Sequence, residues 1–276
     1  MIIDSHVHIG EIINFNMPEQ IVLESMKKYG IDFSLVSNAE AAEVDQTQKP
    51  IPKEQQFAQR ELNERLLEFV RKNPKKLGAL LWIKPTTEGC TEEFEELIVK
   101  NRDIVYGIKV HPYHSKLAFN SPEVAKYIEL ARKYSLPIVT HTANDYESSP
   151  MVAYEVAQKN PDVNIVMVHM GLGTDNEEAI ELISKLPNLY GDTTWVSAEK
   201  TIKAIKICGP DKILFGSDSP IDGLDTYKFY SPHFNDISES ISKEEHDKLI
   251  FKNAIKLFNL KVECSEDDIA PEENRI

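Results

Sequence analysis

The chain has 276 residues, 41% hydrophobic and 28% charged, with a formal net charge of −14 at pH 7. That length fills one α/β barrel and can bury a sizeable core, while the acidic balance argues against nucleic acid as a partner and against an anionic membrane surface. Cys90, Cys208 and Cys264 form no CxxC pair, and the chain has neither a basic leader nor an apolar run of about 18 residues, so the expectation is a cytoplasmic protein without signal peptide, membrane span or disulfide framework.

Eight short β-branched runs alternate with longer amphipathic segments. The first, Ile2–Ile9, contains Asp4-Ser5-His6-Val7-His8; strand alternation turns Asp4, His6 and His8 one way and Ile3, Ser5 and Val7 the other. A helix over Gln20–Tyr29 follows, with Ile21, Val22, Met26 and Tyr29 on one face. The second run, Ile31–Asn38, leads into a polar, proline-ended insertion, Ala39–Lys53. Leu77–Lys84 is the third and puts Trp82 and Lys84 on one face at its end. The fourth, Ile104–His111, carries Lys109 and His111; Ser121-Pro122 then reads as an N-cap with proline at the first helical position.

The fifth run, Pro137–Thr142, includes His141, and Ser149-Pro150 repeats the helix-start signal. Val163–His169 is the sixth, after which Thr174 and Glu177 have capping-box spacing. Leu189–Thr194 is the seventh, followed by Trp195, and Lys212–Ser217 the eighth, followed by Asp218. An aromatic-rich segment, Ser219–Ile241, precedes a second capping box at Ser242 and Glu245. His246 sits in a charged helical stretch and reads as solvated, while His114 and His233 receive no role. Alternating β and α units imply a parallel sheet, and eight of them at this length favour a closed (β/α)8 barrel, an α/β TIM barrel elaborated by loops after its second and eighth strands. Residues 1–260 read as that one domain. Residues 261–276, with Glu263, Glu266, Asp267, Asp268, Glu272 and Glu273, read as a solvated, poorly ordered acidic tail.

Of the eight histidines, five (His6, His8, His111, His141 and His169) fall at or beside four strand ends. A lone HxH is a weak pattern, but histidines scattered through a core would not gather at the one rim where barrel active sites are built. Imidazole and carboxylate together suit Zn2+ or a similar divalent transition ion.

The motifs Gly107-Ile-Lys-Val-His-Pro112, Leu136-Pro-Ile-Val-Thr-His141, Val168-His-Met-Gly171 and Ile213-Leu-Phe-Gly-Ser-Asp218, with Lys252-Asn-Ala-Ile-Lys-Leu-Phe-Asn-Leu260, resemble the amidohydrolase superfamily. Their flavour is that of the amidohydrolase-related branch that includes aminocarboxymuconate semialdehyde decarboxylase. The resemblance implies that His6, His8, His141 and Asp218 hold one metal ion per chain. It also implies that His169 orients or deprotonates the attacking water, with Asp218 able to shuttle the proton. Lys109 stands where binuclear members carry a carbamylated lysine; carbamylated it would join a two-metal site, and unmodified it would bind a substrate carboxylate. The unmodified form is the expectation, because this branch is mostly mononuclear. His111, Trp82, Lys84 and Trp195 are candidates for lining the substrate pocket.

The leading expectation is hydrolysis of a small C–N or C–O substrate. Nonoxidative decarboxylation of an unsaturated or aromatic carboxylic acid at the same site is the alternative. A TatD-like nuclease fits less well, since that family carries glutamate where Lys109 stands, and a catalytically silent barrel would have been free to lose its ligand set. The partner is a small molecule, with a carboxylate among the candidates, and the sequence is compatible with a homo-oligomer.

Overall fold

A computed structural model describes residues 1–12, 15–45 and 47–262. The acidic tail therefore lies, beyond Val262, outside the described residues. Among the described residues nine strands form one sheet: β1 (Ile3–Ile12), β2 (Phe15–Met17), β3 (Phe33–Asn38), β4 (Leu77–Trp82), β5 (Val105–Val110), β6 (Ile138–Ala143), β7 (Ile165–Leu172), β8 (Leu189–Asp192) and β9 (Ile213–Leu214). Apart from β2, each neighbours the next in chain order and pairs with it in parallel. Backbone bonds from Ser5 N to Phe215 O, Asp218 N to His6 O and His8 N to Ser219 O join the last strand to the first. The eight expected strands are all present, curled as a (β/α)8 barrel requires.

Helices occupy the intervals: α1 (Glu19–Tyr29), α2 (Gln59–Lys72), α3 (Glu92–Lys100), the short α4 (Pro112–Ser115), α5 (Pro122–Tyr134), α6 (Pro150–Lys159), α7 (Glu177–Lys185) and α8 (Ala198–Cys208). After β9 come a 3-10 segment (Gly223–Phe229), α9 (Ser231–Ser240), α10 (Lys243–Asp247), a π turn (Lys248–Lys252) and α11 (Asn253–Phe258). Among the described residues no helix is long and apolar enough to cross a membrane.

Local signals held in three of four places. Ser121 and Ser149 accept backbone N–H bonds at the starts of α5 and α6, and Ser242 with Glu245 forms a complete capping box. The expected box at Thr174 does not form, because its hydroxyl is donated to Gly171 O and helix α7 begins after Asn176. His246, expected to be solvated, is half-buried against Phe234.

Strand alternation divides the core in two. Ile108, Ile138, Ile165 and Met167 belong to the large cluster under the helices, whereas Leu35, Leu80, Val139 and Val166 belong to a second cluster with Phe258 and Leu260. Moving two residues along this second face leads from Leu35 to Ser37, from Leu80 to Trp82 and from Val139 to His141. The barrel interior is thus apolar below and turns polar and aromatic at the strand ends.

One elaboration was not foreseen. β1 runs on past the barrel to Ile12 and turns back through the antiparallel β2, with Gly10 opposite Met17. Ile12 and Met17 pack with Ala39, Ala41, Leu62 and Trp82 in a third, separate apolar cluster beside the strand ends.

Candidate metal centre

His6 and His8 project from β1 so that their Nε2 atoms are 3.0 Å apart. Asp218 Oδ1 lies 3.0 Å from His8 Nε2 and 3.5 Å from His6 Nε2. Among the described residues these three form the group whose ligand atoms all fall within 4.8 Å of one another. Each imidazole is held from behind. His6 Nδ1 faces Asp192 Oδ2 at 3.2 Å and Thr194 Oγ1 at 3.0 Å, while His8 Nδ1 meets Ser37 Oγ at 2.9 Å. A carboxylate can only accept, so His6 carries its proton on Nδ1 and its Nε2 lone pair is left for the centre. The donor set, two imidazoles and a carboxylate with outer partners, fits a divalent ion.

Asp4 does not share the centre, although alternation alone would turn it that way. The register slips between Asp4 and Val7. Asp4 instead accepts bonds from His6 N, Ser217 N, Ser217 Oγ and Tyr227 OH, fastening β1 to the chain after β9. Burial pushes its carboxyl up to about 7, against the pull of these donors.

Three residues beside the centre have left-handed backbones: His169 (φ 67°), Trp195 (φ 59°) and Asp218 (φ 67°). Histidine and aspartate tolerate this region better than most, but for a bulky tryptophan it is a real outlier. The bend at His169 comes straight after Val168, a member of the interior cluster. His169 N is bonded to Asp192 Oδ1, and its Nδ1 lies 3.2 Å from Thr194 O. A carbonyl accepts, so Nδ1 carries the proton and Nε2 is the free base; burial lowers the ring to about 4, keeping it neutral.

Trp195 donates Nε1–H to Asp218 Oδ2 at 3.0 Å, and its own N–H goes to Tyr230 OH, which in turn donates to Ser217 O. Burial works against the Asp218 charge, but His6, His8 and His169 hold it well below the usual carboxylate range. Gly216 is required by close approach. A Cβ there would come 2.7 Å from both Asp192 Oδ2 and Thr194 Oγ1.

A cavity of about 360 Å³ opens onto this centre and is lined by His6, His8, His111, His141, His169 and Asp218, with Trp82 beside them. His141 stacks on His111 at 4.0 Å and meets His169 edge-on at 4.8 Å, outside the three-residue group. His111 is sandwiched between His141 and Trp82, and its Nδ1 accepts the His114 N–H. His114 lines the cavity as well, while His233 packs against Phe229.

The two lysines fare differently from expectation. Lys84 Nζ is turned away to Phe57 O and Glu88, so it does not line the cavity. Lys109 is fully buried, with Nζ 3.0 Å from His6 Nε2, and burial lowers it to about 8. It stands against the ligand side of His6 rather than on the cavity wall, so an unmodified Lys109 is not placed to receive a substrate carboxylate. Sequence reasoning missed Asp192, Thr194 and Ser37. The one signal it offered was an acidic residue at the end of the seventh run.

Residues 3–260 match the sequence model of a family described as amidohydrolase. No curated protein matches the chain by sequence. The fold is similar to that of 2,6-dihydroxybenzoate decarboxylase in complex with 2,6-dihydroxybenzoate, at 19% identity over 94% of this chain and 98% of that one, with a TM-score of 0.69. It is also similar to a dihydroxybenzoic acid decarboxylase from a Polaromonas species with bound manganese and the inhibitor 2-nitroresorcinol (17% identity, 95% and 98% covered, TM-score 0.68). A third likeness is to a probable 2-pyrone-4,6-dicarboxylic acid hydrolase from Acinetobacter baumannii with citric acid bound (15% identity, 94% and 99% covered, TM-score 0.65).

Proposed function

The chain belongs to the amidohydrolase family, and on that premise we propose that it is a cytoplasmic metal-dependent hydrolase acting through an activated water on a small amide-, lactone- or ester-like bond. The observation that carries this reading is the pair of Nε2 atoms of His6 and His8, 3.0 Å apart beside Asp218, with both Nδ1 atoms engaged from behind. His6, His8 and Asp218 would hold one Zn2+ or similar ion, with His141 on the same cavity as the fourth candidate ligand. A divalent ion held by these residues would supply Lewis acidity, for a substrate oxygen and for ionising water near pH ~7.

The chain's own groups supply the rest. His169, its Nδ1–H given to Thr194 O, presents Nε2 as the base that takes the water's proton. Trp195 fixes the Asp218 carboxylate through Oδ2, which leaves Oδ1 towards the histidines. His111, whose Nδ1 accepts a backbone N–H, carries its proton on Nε2 and can donate it in a hydrogen bond to a substrate oxygen. Lys109 stays unmodified in this reading, and its part is to adjust the charge beside His6.

A second reading, nonoxidative decarboxylation of a small unsaturated or aromatic acid, is favoured by the apolar side of the cavity. A carboxylate that enters charged and leaves as CO2 gains from a water-poor pocket. Turnover in 18O-labelled water separates the two. Hydrolysis puts label into the product acid or alcohol, whereas CO2 release without label in the organic product establishes the decarboxylase instead.

A further inference from the structure

The cavity has two unlike ends. One is the histidine–aspartate cluster. The other is a wall of Ile12, Phe15, Met17, Ala39, Leu172 and Ile221, drawn from the β1–β2 hairpin, the end of β7 and the segments after β3 and β9. Most of this wall belongs to the third apolar cluster, so the surface is continuous rather than a scatter of single side chains. Among the described residues no lysine or arginine lines the cavity. The hairpin sequence Gly10–Asn16 contains none either. Lys84 is tied to Phe57 O and Glu88, and Lys109 is buried against His6. Among the described residues the lining carries one carboxylate besides Asp218, that of Asp145.

We propose that this cavity takes a substrate with one polar or anionic head, directed at the His6–His8–Asp218 cluster, and an uncharged apolar body lying on the Phe15–Ile221 wall, and that it rejects dianionic substrates. The proposal rests on the metal-dependent reading above and names its substrate class. About 360 Å³ accommodates one ring with short substituents. An apolar body there exchanges water for Phe15, Met17 and Leu172. A second carboxylate would lose its hydration with no lysine or arginine among the described lining residues to replace it, and would lie in a cavity already carrying Asp145, so its charge is disfavoured there.

The test is calorimetric binding to the metal-loaded full chain of two probes similar in size, 3-isopropylbenzoate and isophthalate. The monocarboxylate is expected to bind at least ~10-fold more tightly, about 1.4 kcal/mol. Ile221→Arg places a cation on the wall and is expected to tighten isophthalate binding ~10-fold, while Ile221→Gln brings no such gain. Far-UV circular dichroism and metal content, unchanged in both variants, show that they fold. Isophthalate binding as tightly as 3-isopropylbenzoate overturns the proposal, as does failure of both probes to bind. Wild-type discrimination that Ile221→Arg leaves untouched overturns it too, since the missing cation would not be its cause. The metal-dependent reading fails separately, by loss of metal content or of turnover.

Discussion

The two ends of the cavity are built on different principles. At the cluster end four functional side chains are each held by a second group: Asp192 behind His6, Ser37 behind His8, Thr194 O behind His169 and Trp195 behind Asp218. Left-handed backbone at His169, Trp195 and Asp218 is tolerated because these bonds over-determine it. The apolar wall, by contrast, consists of side chains from the hairpin, the end of β7 and neighbouring segments, joined mainly by contact. Precision is concentrated where bonds are made and broken, and adaptability where a substrate body is accommodated.

That contrast predicts a gradient of effects. The largest falls on His169. His169→Asn is expected to keep the metal and lose rate by ~10²–10⁴-fold, measured as kcat with metal content determined on the same sample. Loss of metal in that variant would make His169 a ligand and blur the distinction between holding and reacting.

The groups behind the ligands come next. Asp192→Asn, or Gly216→Ala, which drives a methyl into Asp192 and Thr194, is expected to weaken metal affinity by ~10–100-fold. Competition with a chelator measures it, and unchanged affinity in both variants would show that His6 needs no support from behind. The smallest effects belong to the wall. Phe15→Ala is expected to raise KM by ~5–30-fold, about 1–2 kcal/mol of lost apolar contact, with metal affinity unchanged. A fall in metal affinity there would mean that the two ends are mechanically coupled.

The same contrast explains what the sequence made legible. Strand ends were readable because alternation at period two carries a side chain to a known face, so His6, His8, His141 and Trp82 reach the cavity as expected. The bulge that parts Asp4 from His6 obeys no period and had to be seen, and Trp195, expected on the pocket wall, is absent from the cavity lining and gives its Nε1–H to Asp218 instead. Lys84 follows the same alternation, yet its long stem lets the ammonium reach Phe57 O instead of the cavity. The hairpin wall was missed because Ile12, Phe15 and Met17 acquire their meaning only against Ala39 and Trp82, a packing relation between distant segments.

On the reading proposed here, His6, His8 and Asp218 hold one divalent ion. Elemental analysis of the purified wild type, Lys109→Ala and Asp218→Ala proteins tests it most directly, with bicarbonate supplied during expression. The wild type and Lys109→Ala are expected to carry about one equivalent, and Asp218→Ala a value near zero. Full metal retention by Asp218→Ala, or two equivalents in the wild type falling to one in Lys109→Ala, would contradict it.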